Sequence, residues 1–185
     1  MTNGSGTLGQ VINKIDALTE FVGRSIAWLT LVMMVVMFAV VVLRYLFNIG
    51  FIAMQESVMY LHAAIFMMAA GYTLKHDGHV RVDIFYREMS EKNKALVDLV
   101  GTVCLLVPVM LFMGSISLDY VINSWHVMEG SPEAGGIPAV FLLKTLILLM
   151  VGLLLLQGIA EGLRNLLVLL GQSGGVEHHI NEEKV

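Results

Sequence analysis

Few residues in this chain combine reactive chemistry with an unusual setting. Glu56 and Lys144 are ionisable groups inside long apolar runs, and His62 lies deep in one of those runs. An ionisable side chain in a bilayer costs a few kcal/mol near the centre, so each marks a functional or structural site by default. Glu56 stands about five residues into its run, roughly 8 Å deep, and Lys144 about seven into its own, roughly 10 Å. Both depths are counted from the outer face, where Arg44 and Asp119 also end their helices. Opposite charge at matched depth predicts an interhelical pair, Glu56 with Lys144. The competing arrangement has Lys144 snorkelling outward while Glu56 faces water.

The remaining polar residues exclude more than they suggest. His76-Asp77-Gly78-His79-Val80-Arg81-Val82-Asp83 gathers two histidines and two aspartates, but His76-x-x-His79 fits no strong metal-ligand template. Neither a cysteine nor a third histidine is nearby, so this is read as a polar, hydrogen-bonded loop that positions the segment after it. A haem on His62 would need a second axial ligand on a facing helix. The 13 methionines could supply one, but methionine is usually a gap-filler in apolar packing. No G-x-x-x-x-G-K-[ST] occurs, and loops this short cannot assemble a Ser/His/Asp constellation, so no enzyme and no cofactor is expected. The basic residues are not gathered on a soluble face, which argues against nucleic acid. Cys104, the single cysteine, excludes an internal disulfide and reads as a small buried hydrophobe.

The elements that carry these residues follow from hydropathy. Of 185 residues, 57% are hydrophobic and 14% charged, with a mean hydropathy of +0.78. Crossing a hydrocarbon core takes roughly 20 apolar helical residues. Residues 26–43, 51–74, 99–118 and 137–160 meet that length, so the expected fold is an all-α integral membrane protein with four transmembrane helices in a single membrane domain. The first run is too long for a signal-peptide core and no small-x-small cleavage site follows it, so it is read as a retained span. Ahead of it, Leu8, Val11, Ile12, Ile15, Leu18 and Val22 recur at helical spacing, predicting a separate amphipathic helix over 8–22 in the membrane interface. Pro108 should free the carbonyl of Cys104 and bend the third span, and Pro138 suits the first turn of the fourth. Gly158-x-x-x-Gly162 offers a small-residue face for close helix approach. Residues 171–185 read as a mobile tail.

Charge sets the orientation. Lys14, Arg24, Lys75, Arg81, Arg87, Lys92, Lys94, Arg164 and Lys184 fall on one side of the bilayer and Arg44 alone on the other. Cytoplasmic segments are the ones enriched in Lys and Arg, so both ends and the basic loop are expected in the cytoplasm.

The order of features is similar to a known family. Arg44-Tyr45-Leu46-Phe47-Asn48 closes the first span, Gln55-Glu56 opens the second, and Gly71 precedes His79-Val80-Arg81-Val82-Asp83. Glu129-Gly130-Ser131, Gly136-Ile137-Pro138, Lys144 and Gln157-Gly158 follow. From about residue 10 to 170 the chain resembles the small membrane subunit, DctQ-like, of tripartite ATP-independent periplasmic (TRAP) transporters. Where relatives often carry Trp and two acids at the start of the second span, this chain has Ala53-Met54-Gln55-Glu56. The resemblance implies a bacterial inner-membrane scaffold beside a large multi-span permease subunit that carries the substrate and sodium sites. It further implies a periplasmic substrate-binding protein delivering organic anions, carboxylates such as 2-oxo acids. Arg44, Glu56, His79, Arg81, Asp83 and Lys144 are the candidate structural or interface residues. The competing functions are a self-sufficient four-span exporter, a membrane redox subunit and a non-transporting structural protein. The first would need a buried acid in span one, which has no ionisable residue.

Overall fold

The computed structural model describes residues 4–79 and 86–171, and every regular element among them is helical. Among these described residues, four helices are long and apolar enough to cross a membrane. The chain is a multi-pass membrane protein.

Helix α1 runs unbroken from Gly4 to Leu46, 43 residues or about 64 Å at 1.5 Å per residue. The amphipathic helix expected at 8–22 and the span expected at 26–43 are therefore one rod. Nothing between them stops a helix. Arg24 donates to Glu20 one turn back at 2.7 Å. Gly23, the weakest helix former in the stretch, is there because the ring of Tyr72 on α2 occupies the place of a Cβ. The rod ends where Asn48 takes a left-handed φ of 54° and the Ile49 N–H donates to the Leu43 carbonyl at 2.9 Å.

Helix α2, Ile52–Lys75, returns across the bundle. It closes with Gly78 N–H on the Thr73 carbonyl at 2.9 Å and Asp77 N–H on Leu74 at 3.2 Å. That pairing needs a left-handed residue between helix and exit, and Asp77 supplies it at φ 52°.

The third crossing, Glu91–His126, is built from α3 (Glu91–Gly101), a wide turn over Thr102–Leu106 and α4 (Val107–His126). Pro108 cannot donate to Cys104, and the chain absorbs the loss as a π turn in which Val107 N–H reaches back to Thr102. Cys104 is exposed on that turn rather than buried. The other side of the turn packs on α5, Val140–Leu169, where Leu106 and Thr102 lie against Gly158 and Thr102 against Gly162. The small-residue face of α5 thus seats this turn.

Helix α5 is the hub, touching α1, α2, α3, α4 and the π turn. It begins at Val140, so Pro138 lies ahead of its first turn. Among the described residues the bundle has two ends. Lys14, Arg24, Lys75 and Arg164 mark the basic end, and the links 47–51 and 127–139 form the loop end.

Candidate functional site

Two polar clasps, one at each end, hold this bundle together. At the loop end, α4 finishes with Met128 at φ 46°, its N–H on the Trp125 carbonyl at 3.2 Å and the Glu129 N–H on Ser124 at 3.0 Å. The reversal folds the Glu129 side chain back over the helix end. Its Oε2 accepts from Ser124 Oγ at 2.6 Å and from Lys144 Nζ at 2.5 Å. Lys144 also lies 3.9 Å from the centre of the Tyr120 ring. Beside it, Trp125 donates from Nε1 to Thr145 Oγ1 at 2.9 Å and meets Phe141 edge-on at 4.6 Å. The Lys144 ammonium, and then the Ser124 hydroxyl, hold the Glu129 carboxyl below the usual carboxylate range against the opposing effect of burial.

Glu56 serves the same loop differently. Its carboxylate accepts from the Ser131 hydroxyl and from the Ile137 N–H, the latter at 2.6 Å. Ser131 N–H donates to the Ile137 carbonyl at 3.1 Å, closing the loop on itself. Gly136 makes room for this closure, because a Cβ there would stand 2.6 Å from Ser131 Cβ and 2.8 Å from Glu56 Oε1. The expected Glu56–Lys144 pair is thus not formed. Glu129, brought back over the end of α4 by the turn at Met128, takes Lys144 instead. Glu56 spends its charge on the loop backbone.

At the basic end, α1 and α5 run antiparallel in a register that matches polar groups. Ile12 packs in one cluster with Leu167, Asp16 meets Arg164 and Thr19 meets Gln157, stepping down α5 as α1 climbs. Arg164 donates to Asp16 Oδ2 at 2.7 Å and to Glu161 Oε1 at 2.5 Å. Gln157, fully buried, accepts from Thr19 at 2.8 Å and donates to Asp16 at 3.1 Å and Glu161 at 3.2 Å. A second group ties α1 to α2: Glu20 accepts from Lys75 at 2.7 Å and Arg24 at 2.7 Å, with His76 at 3.0 Å. Asp16, Glu20, Gln157, Glu161 and Arg164 are the residues the sequence reading missed as a site. Their signal was present: 16, 19 and 20 share one helix face, as do 157, 161 and 164.

Of the other candidates, Arg44 is exposed at the end of α1 without an ion pair among the described residues, and His79 is exposed just past α2. Arg81 and Asp83 lie outside the described residues, as does the tail beyond Gly171. Among the described residues no three His, Cys, Asp or Glu side chains gather as metal ligands. Both clasps pair their charged groups internally, with Arg164 Nε the one buried clasp nitrogen left without a hydrogen-bond partner among the described residues, and such pairing holds helices in fixed register.

The model of the family described as "Tripartite ATP-independent periplasmic transporters, DctQ component" matches residues 33–167. That range contains the whole loop-end clasp and the α5 half of the basic-end clasp. The chain is also similar to the C4-dicarboxylate TRAP transporter small permease protein DctQ of Vibrio cholerae, 29% identical over 112 residues. The match covers 60% of this chain and 44% of that relative, so the chain spans under half the length of the curated protein it matches. No solved structure matches. The match over most of its length shows that this chain belongs to the DctQ family, a component of tripartite ATP-independent periplasmic transporters.

Proposed function

We propose that the chain is the small membrane subunit of a TRAP-type secondary transporter in the bacterial inner membrane, with both ends in the cytoplasm. It braces a larger multi-span permease subunit, and a periplasmic binding protein delivers the substrate. The transported species is an organic anion carried with sodium, of the carboxylate class that includes 2-oxo acids. The observation that carries this reading is the family match over residues 33–167. The two clasps that pair one helix with another support it, because a brace needs helices that keep their register while a neighbour moves. The unbroken helices α1, α2 and α5 support it too, since substrate sites in secondary transporters are built on unwound, discontinuous helices.

Reconstitution into liposomes tests the proposal. The chain alone should transport nothing. Together with the larger subunit and its binding protein it should support sodium-driven uptake of carboxylates. Uptake by the chain alone, or full uptake by the larger subunit without it, would overturn the reading.

A further inference from the structure

Helix α2 exposes a narrow seam. Between Ile52 and Lys75 its exposed residues are Ile52, Gln55, Met59, His62 and Phe66, at alternating spacings of three and four. Positions 67–75 are all buried or half-buried. Alternating three–four spacing is how one helix meets another along a line. The outward faces of α1 and α4 are different: they expose broad apolar surfaces such as Leu31, Met34, Val35 and Phe38, as helices in contact with lipid do.

Two of the five seam residues are polar, Gln55 and His62, seven positions apart and so about 10 Å apart along the axis. Gln55 lies one turn from the loop end, within reach of water and headgroups. His62 does not. It stands ten residues from Ile52, about 15 Å along the helix, near the middle of a hydrocarbon core about 30 Å thick. Its short side chain cannot snorkel that distance, and its ring only stacks on Phe66 at 6.5 Å, with no polar partner among the described residues. Hydrocarbon leaves both imidazole nitrogens unsatisfied, at a cost that a facing hydrogen-bonding group would remove.

We propose that this seam docks one transmembrane helix of the larger permease subunit, which presents a hydrogen-bonding side chain to His62 at mid-bilayer. The inference rests on the reading that a larger subunit exists, as the tripartite family implies. His62 and Gln55 then set the register of the docked helix, as isolated polar positions do along helix seams.

Site-specific photo-crosslinking in membranes containing the full chain and the larger subunit tests this. Benzoylphenylalanine in place of Met59, His62 or Phe66 should give adducts with the larger subunit, whereas in place of Phe112 on α4 it should give few. Adducts with a second copy of this chain, or no protein adducts at 59, 62 and 66, would overturn the seam. Co-purification of the unaltered chain with the larger subunit separates the two failures. If it persists without adducts, only the docking line is wrong; if it is absent, the subunit reading falls as well. His62→Leu should weaken association about threefold, an average hydrogen bond between membrane helices, and His62→Gln should retain it. Equal association for both variants would remove the hydrogen-bonding partner.

Discussion

The loop-end clasp depends on a residue in an unfavourable conformation. Met128 sits at φ 46°, and a left-handed backbone costs a side-chain-bearing residue roughly 1–2 kcal/mol. The conformation persists because it delivers Glu129 to Ser124 and Lys144. Met128→Gly keeps the turn and relieves the strain, so it should stabilise the protein by about 1 kcal/mol in thermal unfolding. A destabilised variant would mean that the Met128 side chain has packing value of its own. Glu129 makes the clasp sensitive to acid. Its carboxyl titrates below its ordinary value because Lys144 and Ser124 favour the ionised form. The folded value is lowered, so its contribution is complete above the ordinary carboxylate range and is lost as pH falls through the lowered value. The melting temperature should therefore decline in acid more steeply for the unaltered chain than for Glu129→Gln. Equal slopes would assign the acid response to other carboxylates. Glu129 was also the residue that spacing along helices could not identify, since its reach is set by a turn.

At the scale of elements, the pairing of α1 with α5 depends on Arg164. Its guanidinium bonds Asp16 and Glu161 with only 10% of the side chain exposed, and each acid is 20% exposed. Removing one partner of a buried network strands the others, at about 3–5 kcal/mol in well-sealed sites. The partial exposure of the acids argues for the lower end, so Arg164→Met should cost on the order of 3 kcal/mol. Replacing Asp16 and Glu161 by Asn and Gln in the same molecule should recover most of that loss in detergent unfolding. No recovery would show that the arginine stem packs rather than pairs. The same helix seats the π turn at Gly158, where an added Cβ would approach Leu106 Cδ2 to 2.7 Å. Gly158→Val should overpack that contact and cost about 1–3 kcal/mol. A neutral result would mean that Leu106 can swing clear.

Over the whole molecule, hydropathy made four crossing helices legible, because a run of apolar residues has no other stable home. It did not reveal that α1 is a single rod of 43 residues. The change from amphipathic to wholly apolar at residues 22–26 marks a change of surroundings, not a break in the backbone. Polar partners were legible as faces and not as pairs, since pairing requires the register between helices. Orientation is a property of the whole charge distribution. Nine of eleven Lys and Arg residues belong to the basic end or to segments continuous with it, and Arg44 alone ends a helix at the loop end. Moving that many charges through a bilayer is the less favourable insertion, so the basic end is expected in the cytoplasm. In intact cells, a cytoplasm-dependent fluorescent reporter should be active when fused after residue 90 or after residue 172. A cysteine at position 133, introduced with Cys104→Ala, should react with an impermeant thiol reagent added outside the inner membrane. Labelling at 133 only after lysis, or activity of a periplasm-dependent reporter at either fusion point, would invert the molecule and place the Glu129–Lys144 clasp in the cytoplasm.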